Sequence, residues 1–306
     1  MKIKYFKHYD IDKKAYDDCI LRSSQGTVYA MSWYLDTVSP GWELLATENF
    51  EAVMPVPVKQ KFGIKYCISP HLCQQLGLFS SSFSDENTVK DFIRHIPYSN
   101  YRIQLNSGNL WGNPFKDRNV LLRQNYLLNL EQTYTDIRKN YKKNCQRNLK
   151  KAQTEDMQIF RDTPQKEYID FLKENSANRP VKDLIPLLKQ LLESTGKHTK
   201  TEIRSVRDHS GNILSCTFFL YWKNRVYYMT PGSSPEGKKT QSMSFLIDQF
   251  IQIHASSGLI LDFEGSSIPN IARFYEGFGA TCEHYPLIVK KNIPAKIYSL
   301  LARTGR

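Results

Sequence analysis

The chain has 306 residues, of which 41% are apolar and 12% aromatic, and this is enough material for one large or two medium folded domains. Its longest apolar run, Ile213 to Trp222, is too short to span a bilayer, and the charged amino terminus lacks the apolar stretch of a signal peptide. The sequence therefore predicts a globular cytoplasmic protein without a membrane span, and the net charge of +12 bears on its partners.

The cysteines and histidines give no sign of a metal site. The six cysteines are scattered, without a C-x-x-C pair and without a histidine cluster nearby. This spacing argues against zinc and against a disulfide framework, so the cysteines are expected to be reduced and mostly buried. No metal is predicted.

In the first half of the chain, Gly41–Gly77 contains alternating apolar runs separated by a polar turn and a glycine-containing turn. This pattern predicts an antiparallel meander of three strands.

A basic segment, Ile137–Ala152, follows. Seven cations recur there on a helical period, with apolar residues between them: Arg138, Lys139, Lys142, Lys143, Arg147, Lys150 and Lys151. One helix with a basic face is predicted, and that face is either a solvated surface or a binding surface for phosphates.

The second half repeats the meander pattern between Thr201 and Lys238 and then continues further. It predicts a helix over 241–258, a strand over 259–265 and a helix over 268–279. Three strands, a helix, a strand and a helix indicate an α/β fold with a mixed, mostly antiparallel sheet flanked by helices. The repeated order predicts the same fold twice, over residues 1–125 and 126–306.

The segment ARFYEGFG, preceded by Asn270 and by an acidic strand end, resembles the last motif of the GNAT acyltransferases, which commonly reads N-x-x-A-x-x-F-Y-x-x-x-G. The spacing from Asn270 to Ala272 is one residue short of that pattern. The segments YKKNCQRNLKKA and DFEGS are similar to the Fem-type branch, in which tandem GNAT-like domains transfer amino acids from aminoacyl-tRNA to a cell-wall precursor. The resemblance implies a degenerate GNAT-like domain over 1–125, a GNAT-like domain over 126–306 that begins with the basic helix, and an acceptor groove at their junction.

Acyl transfer to an amine needs a base for the amine, donors for the oxyanion and an acid for the leaving group. Tyr275 is at the GNAT tyrosine position and is predicted to protonate the leaving group; its alternative role is packing on the sheet. Asp262 and Glu264 lie two apart on the predicted strand, which would point both carboxylates to one face. Glu264 is the preferred proton acceptor. The pair would otherwise bind the cationic amine, cap the next helix or bridge to Lys and Arg.

The resemblance also implies a splayed strand, here Val226–Ser234, that supplies the oxyanion donors. Pro231 and Gly232 are expected to end that strand and to leave main-chain N–H groups unpaired nearby. The predicted groove and oxyanion region comprises Tyr228, Met229, Thr230 and Asn270.

GNAT enzymes bind the pyrophosphate of coenzyme A with a glycine-rich turn at a helix N-terminus. The matching segment here, PEGKKTQSMS, contains only Gly237, which disfavours coenzyme A and favours a tRNA-borne donor. The predicted donor or phosphate contacts are Lys238, Lys239, Thr240 and Ser242, together with Lys142, Lys143 and Arg147 of the basic helix.

These features together predict an N-acyltransferase without a covalently bound cofactor. Its co-substrate is acyl-CoA or aminoacyl-tRNA, and its acceptor is an amine such as a cell-wall precursor. The alternative is a non-catalytic, degenerate GNAT protein that binds RNA or a phosphorylated precursor through its basic face. The sequence leaves the acyl group open.

Overall fold

The computed structural model describes residues 2–82, 85–110, 120–175, 179–265 and 268–291. The chain divides into two compact units, one formed by the residues up to Arg123 with the segment from His284 onward, the other by Gln124–Glu283. No helix in the described ranges has both the length and the apolar character needed to cross a membrane. Five of the six cysteines are buried, as expected, and Cys282 is exposed.

The elements of the first half, in chain order, are β1 (Ile3–Phe6), α1 (Lys13–Arg22), α2 (Ser32–Val38), β2 (Glu43–Thr47), β3 (Ala52–Val56), β4 (Val58–Lys61), β5 (Ile64–Ile68), β6 (Phe79–Ser80), α3 (Glu86–Arg94), β7 (Tyr101–Gln104) and β8 (Val120–Asn129). Those of the second half are α4 (Tyr134–Lys139), α5 (Lys143–Ala152), β9 (Met157–Phe160), α6 (Gln165–Asn175), α7 (Arg179–His198), β10 (Thr201–Asp208), β11 (Ile213–Trp222), β12 (Arg225–Ser233), α8 (Pro235–Thr240), α9 (Ser242–His254), β13 (Ile260–Asp262), α10 (Pro269–Gly277) and β14 (Thr281–Lys290).

The first unit contains two groups of strands. One has the order β1-β2-β3-β6, with antiparallel pairs throughout. The other has the order β4-β5-β7-β14, in which β5 and β7 are parallel and the other pairs are antiparallel. Strands β2 and β3 are buried along their whole length, and Leu45, Met54 and Val56 pack in one core with Phe92 of α3.

The second unit is a mixed sheet with the strand order β8-β13-β12-β11-β10-β9. Strands β12 and β13 are parallel and the other pairs are antiparallel, as the order of elements predicts. Helix α9 packs its apolar stripe on this sheet, and Phe250 stacks on Phe219 with 4.0 Å between ring centroids. Burial of this stripe stabilises the unit more than helix propensity does.

The prediction of one basic helix over 137–152 was wrong in one respect, because the segment forms two helices, α4 and α5. Between them, the Lys142 N–H donates to the Gly277 carbonyl at 2.9 Å, a tertiary bond that a continuous helix would not allow. The phenols of Tyr134 and Tyr141 both donate to the buried Asp248 of α9, each at 2.9 Å. These three contacts fix the position of α4 and α5 on the second unit.

His254, at the end of α9, predicts a pH dependence of stability. Its Nε2 lies 3.1 Å from the Tyr221 hydroxyl and 3.3 Å from the Arg204 guanidinium. Burial, aided by the Arg204 charge, lowers the pKa of His254 to about 4 from its usual 6.5. A lowered folded-state pKa means that this contribution is fully present above about pH 6.5 and is lost as the pH falls towards 4.

We expect the loss from His254 to be about 1–2 kcal/mol, after allowance for its partial exposure. The measurement is the free energy of urea unfolding at about pH 7 and about pH 4.5, for the parent chain and for His254→Gln. The variant should lose less stability over this interval. An equal loss in both proteins would contradict the assignment.

Candidate active site

The centre of the second unit's sheet carries a β-bulge in β12. Met229 pairs with Phe218 and Gly232 pairs with Cys216, which leaves Thr230 and Pro231 opposite a single residue of β11. Thr230 has a positive φ of 43°, and the buried Tyr168 hydroxyl donates to its carbonyl at 2.9 Å. The expectation that Pro231 and Gly232 end the strand was wrong, because the bulge lets β12 continue through both to Ser233.

Beyond the middle of β12, the strand loses its parallel neighbour. The pairing of β12 with β13 runs from Arg225 to Tyr227 and ends there. From Tyr228 to Ser233, the described structure therefore pairs the main chain of β12 with β11 alone. The resemblance implies a splayed strand in this part of β12, where Met229 is fully buried.

A pocket of about 440 Å³ lies against this edge of β12. Its walls come from the bulged strand and from α8, α9 and α10, and they comprise Tyr228, Pro231, Gly232, Ser233, Lys238, Met243, Asn270, Ile271, Phe274 and Tyr275. Of the residues predicted from the sequence, the pocket brings together Tyr228, Lys238, Asn270 and Tyr275. Apart from Lys238, Asn270 and Ser233, its lining side chains are apolar or aromatic.

Tyr275 lines this pocket from α10, which begins with Pro269 in its first turn. Its ring stacks on Phe263 at 4.6 Å and meets Tyr228 edge-on at 6.2 Å, so its orientation is fixed by packing. The residue is 6% exposed. Burial raises the pKa of the Tyr275 phenol, and the carboxylates of Glu264 and Asp262 raise it further. The phenol therefore stays protonated at neutral pH.

Asp262 and Glu264 do not share a strand face, contrary to the expectation from their spacing. Strand β13 ends at Asp262, and Glu264 has a positive φ of 57°, so the strand alternation does not reach it. Asp262 is fully buried, pairs with Arg225 at 3.0 Å and accepts the Glu264 N–H at 2.8 Å. Burial raises the pKa of Asp262, and the Arg225 charge opposes that rise.

Glu264 does not line the pocket, but its carboxylate acts on two tyrosines of the site through charge. It is partly exposed, and its charge raises the pKa of both Tyr275 and Tyr168. Asp262 is thus built into a buried ion pair, whereas Glu264 is a partly exposed carboxylate outside the pocket lining. The turn held by the Asp262 carboxylate separates the two.

The predicted donor contacts on α8 and α9 fall into two groups. Lys238 lines the pocket, and Lys239 pairs with Glu236 at 3.0 Å. The Thr240 hydroxyl donates to the Glu236 carbonyl at 3.0 Å and the Ser242 hydroxyl donates to the Gly237 carbonyl at 3.1 Å, both in buried positions. The structure therefore brings one of these four residues into the pocket.

Gly237 has a packing role. A Cβ atom there would lie 2.0 Å from the Leu214 carbonyl oxygen of β11, so only glycine lets α8 approach the strand this closely. Its N–H donates to the Ser234 hydroxyl at 3.0 Å. The single glycine of PEGKKTQSMS thus holds α8 on the sheet.

The basic residues of α4 and α5 form an exposed surface. Lys142 pairs with Glu276 of α10 at 2.6 Å, while Lys143 and Arg147 lie on the outer side of α5. The buried side of α5 consists of Cys145, Leu149 and Ala152. The amphipathic pattern is therefore as predicted, and these cations do not line the pocket.

Four residues of the site were missed by sequence reasoning, and one of them is Ile271 in the pocket lining. Tyr168 supports the bulge from α6, and Met243 and Phe274 line the pocket. Phe274 lies within the ARFYEGFG motif, so its position could have been found from the sequence. Tyr168 could not, because its contact with Thr230 joins elements 62 residues apart.

No protein-family model and no curated protein matches this sequence. Solved structures do match. FemX shares 10% identity over 98% of this chain and 100% of its own, with a TM-score of 0.65. A tandem GNAT protein from the clavulanic acid biosynthesis pathway shares 8% over 96% and 100%, with a TM-score of 0.51. The C-terminal domain of a putative lysylphosphatidylglycerol synthetase from Agrobacterium fabrum shares 12% over 96% and 94%, also with a TM-score of 0.51. The predicted tandem GNAT fold is thereby confirmed.

Proposed function

We propose that this chain, which has the tandem GNAT fold of FemX, is an N-acyltransferase that moves an acyl or aminoacyl group from a thioester or ester donor to an amine. One observation carries the proposal: Tyr275 lines the pocket at the edge of β12 that β13 leaves unpaired. An unpaired strand edge offers main-chain donors to an oxyanion, and a buried phenol offers a proton to a leaving group.

In the proposed reaction, the acceptor amine attacks the acyl carbonyl carbon, a C–N bond forms, and the bond to the leaving sulfur or oxygen breaks. Main-chain N–H groups between Tyr228 and Ser233 stabilise the oxyanion. Glu264 takes the proton of the amine, directly or through water, and Tyr275 protonates the leaving atom. The raised pKa of Tyr275 supports this role because the phenol retains its proton until the leaving atom becomes basic.

The α8 region favours aminoacyl-tRNA over coenzyme A as the donor. The N–H of Gly237 is used by Ser234, and the hydroxyls of Thr240 and Ser242 are used by carbonyls. A pyrophosphate would find few free donors among these groups. The exposed cations of α5 are suited to the phosphates of an RNA chain. The proposed acceptor is an amine of a cell-wall precursor.

The experiment is a turnover assay of the purified chain with acetyl-CoA, longer acyl-CoAs and aminoacyl-tRNAs, each with cell-wall precursors that carry a free amine. Acyl transfer from any donor supports the proposal, and transfer from aminoacyl-tRNA alone supports its donor assignment. Tight binding of tRNA or of a precursor without turnover would overturn the proposal in favour of a non-catalytic binding protein.

Glu264→Gln tests the proposed base. The substitution keeps size and hydrogen bonding but removes the proton acceptor, so turnover should fall about tenfold at neutral pH. The loss should shrink as the pH rises, because more of the acceptor amine is then already deprotonated. The measurement is kcat/KM against pH. A Glu264→Gln variant with full activity across the pH profile would rule out Glu264 as the proton acceptor. The thermal unfolding midpoint is the control for folding, and we expect it to stay unchanged.

A further inference from the structure

The turn between β4 and β5 has a residue that local folding does not favour. Lys61 pairs with Ile64, so Phe62 and Gly63 alone make the turn, with positive φ values of 52° and 76°. Two-residue hairpin turns of this kind favour Asn-Gly or Asp-Gly, because a residue with a bulky side chain is strained at positive φ. Phenylalanine at the first position therefore destabilises the turn.

Phe62 does not offset this strain by packing in the folded chain. It is 73% exposed, and its ring lies 5.6 Å from the Lys61 ammonium. Phe50 is a useful contrast, because it also has a positive φ, 55°, in the turn between β2 and β3. Its ring is half-buried and lies 5.4 Å from Phe6. Phe62 thus has an unfavourable backbone conformation that no packing contact of its ring offsets. A residue of this kind indicates a role in binding rather than in folding.

The hairpin also projects from its sheet. Strand β5 pairs with β7 at Cys67 and Ile68, so the hairpin from Ile64 to Tyr66 pairs with β4 alone. Ile64, next to the turn, is 36% exposed. The tip therefore presents one aromatic and one branched aliphatic side chain to the surroundings.

The charge around this tip is positive. Lys59, Lys61 and Lys65 flank the turn, and residues 52–84 contain no Asp or Glu. Lys290 of β14 pairs with Tyr101, which in turn pairs with Cys67, so this lysine lies at the end of the sheet from which the hairpin projects. Two apolar side chains surrounded by lysines are the composition of an interfacial membrane anchor.

We propose that the β4–β5 hairpin docks the protein on a bilayer that contains anionic lipids. Phe62 and Ile64 enter the interfacial layer, and Lys59, Lys61, Lys65 and Lys290 contact the headgroups. The apolar area of the tip is far below the roughly 800 Å² per partner of a stable protein interface. An aliphatic residue beside the aromatic fits acyl chains better than it fits the stacked bases of RNA.

The turn itself supplies the test, because Phe62→Asn should fold at least as well as the parent chain. We expect this variant to keep or raise the thermal unfolding midpoint and to bind phosphatidylglycerol–phosphatidylcholine vesicles about tenfold more weakly in co-sedimentation. Phe62→Trp should bind like the parent chain. Tyr9→Asn is the matched control, since Tyr9 is an aromatic of the same unit that is 84% exposed, and it should bind normally.

Binding by the parent chain should require the anionic lipid and should weaken with added salt, since the lysines act through charge. Equal vesicle binding by Phe62→Asn and the parent chain overturns the proposal. The proposal is also overturned if the parent chain binds neither the phosphatidylglycerol–phosphatidylcholine vesicles nor vesicles of phosphatidylcholine alone. A Phe62→Asn defect confined to RNA binding, or to self-association in analytical ultracentrifugation, overturns it in favour of those partners.

Discussion

Tyr275→Phe is expected to lower kcat/KM about a hundredfold or more with a donor whose leaving group needs a proton. The substitution removes the proposed proton donor while the ring keeps its stacking on Phe263. Stability should change by less than about 1 kcal/mol, because one hydroxyl is lost without leaving a cavity. The measurement is the rate with matched donors of high and low leaving-group pKa. The loss should be smaller for the donor whose leaving group departs without a proton.

Tyr228→Phe is the matched control, since Tyr228 lines the same pocket and contacts Tyr275. It should retain near-normal activity. If Tyr275→Phe slows good and poor leaving groups equally, the phenol positions the substrate and does not donate a proton. If it slows neither, the residue only packs.

Asp262→Asn is expected to destabilise the second unit by about 2–3 kcal/mol. The amide still accepts the Glu264 N–H but no longer compensates the partly buried Arg225 guanidinium. The strand end that positions Glu264 should therefore loosen, and activity should fall with stability. The measurement is the free energy of unfolding in urea.

A double-mutant cycle separates the ion pair from other effects of this substitution. Arg225→Met removes the charge that Asp262→Asn leaves uncompensated, so the double variant should recover part of the lost stability. Strictly additive losses, or an Asp262→Asn variant as stable as the parent chain, would show that the pair does not hold this strand end.

Much of the fold could be predicted from local patterns. The alternating runs over Thr201–Lys238 form the predicted meander, and the apolar stripe of α9 packs where its period predicts. These elements follow binary patterning, which does not depend on remote contacts. The ARFYEGFG motif likewise pointed to Tyr275, which lines the pocket. The prediction of one three-stranded meander over Gly41–Gly77 was wrong, because that segment forms the two hairpins β2–β3 and β4–β5 in separate groups of strands.

The remaining features depend on tertiary contacts that no local pattern encodes. The break between α4 and α5 is set by the bond from Lys142 to Gly277, and a buried carboxylate at Asp248 inside an apolar helix is set by two tyrosines more than 100 residues away. The spacing of Asp262 and Glu264 suggested one strand face, but β13 ends at Asp262 and Glu264 has a positive φ of 57°. The Asp262 carboxylate, which also pairs with Arg225, accepts the Glu264 N–H there. Each of these features lies where a charged or polar group needed a distant partner.

The division of the chain into two units bears on the order in which they form during synthesis. The first unit is discontinuous, because Ile103 of β7 pairs with Ile288 of β14 after the whole of Gln124–Glu283 has intervened. At about 5–20 residues per second, a ribosome needs roughly 10–30 s to make those intervening residues. The edge of β7 that later pairs with β14 is therefore exposed while the second unit, Gln124–Glu283, emerges and folds. Chaperone engagement of the nascent chain should concentrate in that interval and should end once β14 leaves the exit tunnel.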